Sequence, residues 1–204
     1  SLGQASDLSA VTVRETVAAW FSDPAVAVAQ KRAALSVCDG LGAKRVASAM
    51  NSRTLPDGRE LWLQRASPRH VQLLYEWQQD PGTRRFARNP AIPTWSEHSA
   101  WFGQTLEDED HVTLYIAMLD MMPCGFIRYD RKKQSDMADY EVSIAVAPEM
   151  RGAGIGVAIL ALAHEIIDHG RLIAHVRPGN EASHALFRAA GYRPTGDGYE
   201  YIRS

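Results

Sequence analysis

The segment of residues 140–156 constrains the fold most, because a strand-like run passes through a glycine-rich turn directly into a helical pattern. Residues 140–147 are mostly apolar, and the turn after them holds Gly152, Gly154 and Gly156. Glycine has no Cβ, so its backbone can approach a ligand closely. The free amides at the start of a helix attract negative charge. The segment therefore predicts a binding site for a pyrophosphate.

Two common pyrophosphate loops do not fit this turn. A Walker loop needs Lys and then Ser or Thr after its last glycine, whereas Val157 and Ala158 follow here. A dinucleotide fingerprint needs Gly-x-Gly-x-x-Gly, whereas this turn has Gly-x-Gly-x-Gly with Arg151 before it. A glycine-rich turn without a ligand is the alternative that the residues leave open.

Strands and helices alternate from residue 59 to the C-terminus. Several strands follow one another in the middle of this region, which argues against a pure βαβ repeat and favours a mixed α/β domain. Ser67 and Pro68 predict the start of one helix, and Thr94 or Ser96 the start of another. The patterns predict strands over 60–66, 111–119, 123–130, 138–147 and 171–176, helices over 68–79, 94–107, 154–169 and 180–190, a loop over 80–94, and a final hairpin through Gly196 and Gly198.

The N-terminal region has a different pattern. Residues 9–52 show helix-spaced apolar side chains and no strand candidate, and Pro56 and Gly58 then interrupt a polar stretch. The chain opens with Ser1 rather than methionine, so we expect it to be a piece of a longer protein. The expected organisation is a helical segment over residues 1–55 and an α/β domain over residues 59–204.

Charge and cysteine content exclude several functional classes. The chain has 22 basic and 24 acidic side chains and a net charge of −2, which argues against non-specific electrostatic binding to nucleic acid or to an anionic membrane. Its two cysteines, Cys38 and Cys124, cannot build a disulfide framework or a four-ligand zinc site, so a reducing, cytoplasmic setting is expected. No apolar run approaches the roughly 20 residues that a spanning helix needs.

Two motifs resemble the acetyl-CoA signature of the GNAT N-acetyltransferase superfamily. The first is Arg151-x-x-Gly154-x-Gly156 after an apolar strand, and the second begins at Asn180 and ends near Gly191. The resemblance extends over residues 59–204. It implies an α/β (α+β) fold in which helices flank a central, mixed and mostly antiparallel sheet. It also implies acetyl-CoA as the acetyl donor, with no metal.

The resemblance implies a role for each part of the two motifs. Amides of residues 151–156 would hold the pyrophosphate. The backbone of residues 144–146 would pair with the pantetheine arm as an added strand, and one of its amides would polarise the thioester carbonyl. The implied cofactor-binding residues are Ile144, Ala145, Val146, Arg151, Gly152, Ala153, Gly154, Ile155, Gly156, Asn180, Ser183 and Phe187.

Acetyl transfer to an amine needs a group that accepts a proton and a way for the thiolate to leave. Glu141 is the predicted general base, acting through water, and Tyr140 is the second catalytic candidate because both residues fit nearby family positions. An ion-paired strand residue is the alternative for Glu141. Many relatives carry a tyrosine acid where this chain has Phe187, so either the thiolate leaves unassisted or His184, Tyr140 or Tyr192 serves.

The predicted acceptor is a primary amine on a nucleotide-linked amino sugar, such as a UDP-amino sugar. Trp77, Asp80, Arg84, His98 and Arg128 resemble the branch that acts on such sugars, including the enzyme of the pseudaminic acid precursor. Guanidinium groups pair well with phosphate, and an exposed indole can stack on a base or sugar. A solvated arginine loop, core tryptophans and a capping histidine are the alternatives. The implied substrate-binding residues are Arg84, Arg85, Trp95 and His98.

The N-terminal segment adds a second, shorter resemblance. Residues 30–46 resemble the C-terminal tail of the UDP-sugar hydrolase of the same pathway, which implies a fusion of two enzymes; a plain helical extension is the alternative. Two other functions stay open: a protein N-terminal or lysine acetyltransferase, and a non-catalytic acetyl-CoA-binding module. No nucleic acid or membrane partner is expected. A homodimer stays open as well, because strands near the C-terminus often mediate dimers in this superfamily.

Overall fold

A computed structural model describes residues 52–132, 138–167 and 169–203, together with positions 9, 11, 14, 15 and 18. Positions 11, 14, 15 and 18 are helical. The remainder of the predicted N-terminal helices, and the segment that resembles a hydrolase tail, lie outside the described residues. Contacts divide the chain into Ser1–Val46 and Ala47–Ser204, and every element named below belongs to the second unit.

The second unit is built on one mixed sheet. Along the described residues the strand order is β1-β2-β3-β4-β5-β6-β8-β7, and β5 and β6 are the neighbours that run parallel. This arrangement confirms the predicted fold class. The strands are β1 (Arg53–Thr54), β2 (Glu60–Arg65), β3 (Val112–Leu119), β4 (Met122–Arg131), β5 (Asp139–Val146), β6 (Gly170–His175), β7 (Arg193–Pro194) and β8 (Gly198–Arg203).

Five helices flank the sheet in the described part of the second unit. Thr94, rather than Ser96, caps one of them, and it shares a capping box with Glu97. Ser67 precedes a 3-10 turn, Pro68–His70, as the Ser-Pro pair predicts. The helices are α1 (Val71–Gln79), α2 (Pro81–Arg85), α3 (Trp95–Glu107), α4 (Ile155–Ile166) and α5 (Glu181–Ala189).

Two sequence expectations need correction. The loop predicted over residues 80–94 begins with the short helix α2, because the Asp80 carboxylate accepts a hydrogen bond from the Thr83 amide at 2.7 Å and Pro81 fits the first helical position. The polar stretch taken as a domain boundary contains β1, which pairs with β2 in the register Arg53↔Leu61. Residue propensities did not indicate either element, because α2 depends on the Asp80 cap and β1 depends on its pairing with β2.

The two faces of the sheet carry separate apolar clusters, as the alternation of strand side chains requires. Leu61, Ile127 and Ile159 belong to the cluster under α4 and α5. Trp62 and Trp77 belong to the cluster under α1 and α3. Fully burying a large apolar side chain contributes about 1.5–3 kcal/mol, so both faces stabilise the sheet. Trp77 is 7% exposed, which agrees with the core alternative for this tryptophan.

The sheet opens between β5 and β6, and this opening positions the site. β5 pairs with β4 from Tyr140 to Val146. It pairs with β6 only at Asp139, Tyr140 and Glu141. Beyond Glu141 the two strands separate, so residues 142–146 have an inner backbone edge that β6 does not occupy. We call this opening the splay.

Among the described residues, no helix combines the length and the apolar character that crossing a membrane requires.

Candidate active site

A cleft of about 1730 Å3 extends through the splay. One side, the backbone wall, consists of residues 142–146, the glycine turn of residues 151–156 and the first turns of α5. The other side, the arginine wall, consists of residues 82–93 with Arg128 and Arg177. Of the predicted site residues, the cleft is lined by Arg84, His98, Glu141, Ile144, Ala145, Val146, Arg151, Gly152, Gly154, Gly156, Asn180, Ser183 and Phe187, and not by Tyr140, Ala153, Ile155, Arg85 or Trp95.

The glycine turn depends on backbone conformation rather than on space. Gly152 and Gly154 have φ values of 82° and 73°, in the left-handed region, and a Cβ added at either would meet nothing within 4 Å. Only glycine adopts that region without cost. Gly154 is the N-cap of α4 and has no side chain to cap the helix. The amides of Ile155 and Gly156 therefore lack intrahelical acceptors and are available to an anion at the cleft, whereas the Val157 amide donates to the Gly154 carbonyl at 3.1 Å.

Gly156 serves a different purpose from the other two glycines. A Cβ there would lie 3.0 Å from Leu186 Cδ1 and 3.4 Å from Val146 Cγ2. Both neighbours line the cleft. The glycine therefore lets α4 pack closely against β5 and α5, which keeps the start of α4 beside the splay.

The Arg151 side chain connects the glycine turn to α2. Its Nη2 donates to Asp80 Oδ2 at 2.8 Å and to Thr83 Oγ1 at 2.7 Å. The hydrogen bond from Arg151 is the main reason why the pKa of Asp80 lies below its ordinary value. Asp80 thus caps α2 and holds Arg151 with one carboxylate. The sequence motif included Asp80 as a point of resemblance but did not indicate this long-range contact.

Three predicted residues of α5 share one face of that helix. Asn180 is its N-cap, and its side-chain oxygen accepts from the Ser183 amide at 3.2 Å. Ser183 and Phe187 follow at positions that lie above one another on a helix, and both line the cleft. The Phe187 ring is buried against Tyr192 and Tyr199, at centroid distances of 5.0 and 5.8 Å.

The three predicted substitutes for the missing tyrosine hydroxyl lie away from the cleft. The Tyr140 ring packs edge-on against Tyr129, on the opposite face of β5 from Glu141. The Tyr192 hydroxyl is 3.1 Å from Nε2 of His164 inside the core. His184 Nδ1 is 3.0 Å from the Tyr199 hydroxyl. None of these candidates is among the described residues that line the cleft.

Glu141 lies in the cleft within an ion-pair cluster. It pairs with Arg88, and one of its carboxylate oxygens is 3.0 Å from Lys132 Nζ. Burial is the largest influence on the pKa of Glu141 and raises it, but Lys132, Arg88 and His175 together outweigh burial, so the pKa lies below its ordinary value. The carboxylate is thus ionised at neutral pH. The ion-paired alternative describes its contacts, and the role as general base stays a prediction.

A segment of the arginine wall crosses the mouth of the splay; we call this segment, residues 86–91, the strap. The Arg88 guanidinium contacts Glu141 on β5. The Arg88 carbonyl accepts a hydrogen bond of 2.9 Å from Arg177, which follows β6. One residue of the strap therefore contacts both separated strands or their extensions. No signal in the sequence joins positions 88, 141 and 177, so sequence reasoning missed this arrangement.

Arg84 and Arg85 have separate structural roles. Arg84 donates to Gln78 Oε1 at 2.5 Å and to the carbonyls of Asn89 and Ala91, and so holds the strap in shape. The Arg85 guanidinium lies 5.1 Å from the centre of the Phe86 ring. Arg84 therefore lines the cleft with both terminal nitrogens engaged, while its Nε is buried without a partner, and Arg85 lies outside the cleft.

The two aromatic substrate candidates differ in burial. His98 is 3% exposed, and its Nε2 lies 3.0 Å from the Val71 carbonyl, to which the neutral ring donates. Burial is the main cause of the lowered pKa of His98. Trp95 is 45% exposed and packs edge-on against Tyr75, outside the cleft. These positions agree with a packing role for His98 on the face of the sheet that α1 and α3 cover.

A row of polar side chains crosses the sheet beside Glu141. The register places Asp130 opposite Glu141 and Arg128 opposite Ser143. Arg128 donates to Asp130 at 2.5 Å and lies 5.3 Å from the centre of the Trp101 ring. The row therefore places polar groups along the floor of the cleft, below the strap.

A histidine that the sequence did not single out also lines the cleft. His175 ends β6, and its Nδ1 is 3.1 Å from Asp197 Oδ2. A histidine at the end of a strand carries no signal of its own, because the carboxylate beside it comes from the turn between β7 and β8. Within the described part of the chain, no group of three or more His, Cys, Asp and Glu side chains is arranged to hold a metal ion.

Comparisons with known proteins agree with this geometry. The model of the acetyltransferase (GNAT) domain family matches residues 60–193. A comparison with curated proteins finds no match.

Several solved structures are similar in fold to this chain. The aminoglycoside acetyltransferase AAC(6')-Ib in complex with coenzyme A and kanamycin is 18% identical, with a TM-score of 0.61 over 70% of this chain and 95% of that one. The Vibrio cholerae spermidine N-acetyltransferase in complex with CoA and spermine is 13% identical, with a TM-score of 0.63 over 70% and 95%. The ribosomal-protein α-N-acetyltransferase RimL with coenzyme A is 16% identical, with a TM-score of 0.57 over 70% and 94%.

Proposed function

This chain belongs to the GNAT acetyltransferase family, and we propose that it transfers an acetyl group from acetyl-CoA to a primary amine. The observation that carries the proposal is the continuity of the splay with the start of α4. An unpaired strand edge and a row of free helix amides lie on one wall of one cleft. Three solved structures of similar fold contain coenzyme A, which supports the same donor for this chain.

Each part of the backbone wall suits one part of acetyl-CoA. The amides of residues 151–156 would bind the pyrophosphate, since they combine a helix N-terminus with left-handed glycines. Residues 142–146 would hydrogen-bond the pantetheine arm as an added strand. Asn180, Ser183 and Phe187 would line its other side. Bound in this way, acetyl-CoA supplies a thioester carbonyl next to the strand edge.

The chemistry then needs the amine to attack that carbonyl carbon. An amide of residues 144–146 would stabilise the negative charge that develops on the carbonyl oxygen. The Phe187 ring has no proton to give, so the thiolate leaves with help from water or from the amine's own proton. Glu141 lies beside the attack position and, through Arg88, holds the strap over it.

We propose an acceptor that carries an anionic group, and a nucleotide-linked amino sugar is the class that the arginine wall fits. At the strap, Arg88 and Lys132 pair with the carboxylate of Glu141, and Arg177 donates to the Arg88 carbonyl. This local excess of positive charge favours a diphosphate and disfavours a polyamine. It also favours the neutral form of the acceptor amine, which is the nucleophile.

The test is thiol release from acetyl-CoA with a panel of acceptors. The panel holds a UDP-linked 4-amino-4,6-dideoxy sugar, the free amino sugar, kanamycin, spermine and a basic peptide. We expect release with the UDP-linked sugar and a lower rate with the free sugar, because the free sugar lacks the diphosphate. Release with spermine or the peptide but not with the UDP-linked sugar would contradict the acceptor class while leaving acetyl transfer intact.

Binding measured beside turnover separates catalysis from a non-catalytic module. If acetyl-CoA binds in calorimetry and no acceptor of the panel causes release, the proposal of acetyl transfer to these amines is wrong. The missing hydroxyl at Phe187 makes this control necessary. Phe187→Tyr is the matched variant, since it adds the hydroxyl at the same position on α5.

A further inference from the structure

We infer that His175, oriented by Asp197, is the group that takes the proton from the acceptor amine. This inference rests on the proposed acetyl transfer. His175 is the last residue of β6, and its Nδ1 lies 3.1 Å from Asp197 Oδ2. The His175 side chain lines the cleft and is 39% exposed, so it can reach a bound amine directly or through one water.

The strand register places His175 where the amine would arrive. Glu141 pairs with Ile173 in the parallel register. Side chains alternate along a strand, so His175, two residues after Ile173, lies on the same face as Glu141. It also lies beyond the last residue pair, where β5 and β6 have separated. The imidazole is therefore inside the splay, beside the strand edge that would carry the thioester.

The hairpin between β7 and β8 fixes the carboxylate. Gly198 lies opposite His175 in the antiparallel pair of β6 and β8, and a Cβ on Gly198 would lie 2.0 Å from the Ala174 carbonyl oxygen. Only glycine allows this close approach. Asp197 comes directly before Gly198, so the close approach of the strands sets its position. Its carboxylate accepts from Nδ1–H and leaves Nε2 as the proton acceptor.

The charged groups around His175 come from several elements. Asp197 faces it from the β7–β8 turn and Glu141 from β5, while Arg88 belongs to the strap and Arg177 follows β6. Glu141 is already paired with Arg88 and Lys132, which makes its carboxylate a weaker base. A histidine ring that a carboxylate holds at Nδ1 has Nε2 left to take a proton, whereas cations engage both carboxylate oxygens of Glu141. His175 is therefore the better base in this cleft.

In the proposed step, His175 Nε2 takes one of the three protons of the acceptor ammonium. The amine's lone pair then forms the C–N bond at the thioester carbonyl carbon. The carbonyl π electrons move to oxygen and then re-form the double bond as the C–S bond breaks, and the sulfur leaves with the bonding pair. A second proton passes from the new C–N nitrogen to that sulfur. His175 finally releases its proton to solvent, and the amide keeps the third.

The experiment compares His175→Ala with a matched histidine outside the cleft. His111 forms the same kind of pair, with Nδ1 2.6 Å from Asp108 Oδ1, and does not line the cleft. With the best acceptor of the panel, we expect His175→Ala to lower kcat by about 100-fold or more, the usual effect of removing a general base. We expect His111→Asn to leave kcat unchanged. Added imidazole should restore part of the lost rate of His175→Ala and should not change the rate of His111→Asn.

Asp197→Asn provides a second variant that keeps the histidine. Without the carboxylate the imidazole loses its orienting partner, so kcat should fall while the affinity for acetyl-CoA stays unchanged. His175→Ala with more than half of the wild-type rate overturns the inference, and so does a rate loss that imidazole does not restore together with an unchanged kcat in Asp197→Asn. Loss of kcat in Glu141→Gln with His175→Ala still active instead assigns the proton to Glu141. Wild-type protein inactive with every acceptor overturns the acetyl transfer itself.

Discussion

The two walls of the cleft are built in different ways. The backbone wall uses main-chain geometry: glycines with positive φ, a strand edge and the start of a helix. The arginine wall uses contacts that form across large sequence separations, such as Arg88 with Glu141 and Arg177 with the Arg88 carbonyl. Under the proposed function, the first wall would bind any molecule with the same pyrophosphate and pantetheine arm. The second can change its ligand by exchanging a few side chains.

This difference also decides what a sequence reveals. Main-chain geometry depends on local residue order, so Gly152 and Gly154 appear together after a strand and before a helix. Ion pairs such as that of Arg88 depend on where distant segments meet. Substitutions on each wall test this division.

Gly154→Ala should have the largest effect, and the effect should be confined to the backbone wall. The left-handed φ of 73° disfavours a side chain, so the amides at the start of α4 should shift. We expect acetyl-CoA binding to weaken about 100-fold, or about 2.7 kcal/mol, as two hydrogen bonds to a charged group are lost. Calorimetry with acetyl-CoA measures this change.

Gly58→Ala is the matched control for that variant. Gly58 has a φ of 85° and, like Gly154, nothing within 4 Å of an added Cβ, but it lies outside the cleft. Both variants should lose about 1–2 kcal/mol of unfolding free energy from the left-handed conformation. If Gly58→Ala also weakens acetyl-CoA binding, the loss reflects general instability rather than the turn.

Acid should destabilise the part of the molecule under the backbone wall. His164 on α4 stacks on Tyr201 at 4.2 Å, and burial lowers its pKa from 6.5 to about 4. Between those pH values the unfolded chain binds a proton at this histidine and the folded chain does not. The free energy of unfolding is therefore fully retained above pH 6.5 and falls as the pH drops toward 4. At pH 5 the loss should be about 2 kcal/mol of unfolding free energy.

Urea unfolding at several pH values measures this slope. His164→Gln should flatten it, because the replacement does not titrate. His111→Asn should keep it, since His111 is at the surface beside Asp108. An unchanged slope in His164→Gln would contradict the assignment of the acid sensitivity to this side chain.

Arg88→Ala should affect the arginine wall alone. The variant removes the contact to Glu141 and one positive charge at the strap. We expect kcat/KM for the UDP-linked sugar to fall about tenfold, or about 1.4 kcal/mol, with an unchanged affinity for acetyl-CoA. Arg85→Ala is the control on the same segment, because Arg85 lies on Phe86 outside the cleft. Equal losses in the two variants would remove the special role of Arg88.

Trp95→Ala should have the smallest effect. Its indole is 45% exposed and contacts Tyr75 rather than the cleft. We expect KM for the acceptor to change less than about twofold, within the range of ordinary surface substitutions. A tenfold rise in KM measured with the UDP-linked sugar would show that the indole reaches the acceptor and that the cleft extends further along α3.

The predictability of the fold follows from local patterns. Alternating apolar residues indicated β2 through β6 within one or two residues of their bounds, and the Ser67 and Thr94 caps indicated helix starts. The short elements β1 and α2 were missed, because pairing with β2 and the Asp80 cap decide them. The mixed, mostly antiparallel sheet followed from the family resemblance, and the parallel pairing of β5 with β6 was not predicted.

The site was predictable to the extent that it is local. The glycine turn and the α5 residues of the two motifs line one cleft, and their binding roles stay predictions. Tyr140 shows where local patterns stop being sufficient. A shift of one position along a strand moves a side chain to the opposite face, and Tyr140 lies on the face away from Glu141. His175 and Asp197 are a second example, because their pair forms only after β8 folds back onto β6.

The three residue pairs that join β5 to β6 have a consequence for how the domain comes apart. They connect β1–β5 on one side with β6–β8 on the other, so the sheet consists of two parts joined along a short line. An occupant of the splay would add hydrogen bonds across that line. Amide exchange in β6 and β8 should then slow on binding, as two opening units become one. Binding in the splay and cooperative opening of the two parts of the sheet are therefore coupled.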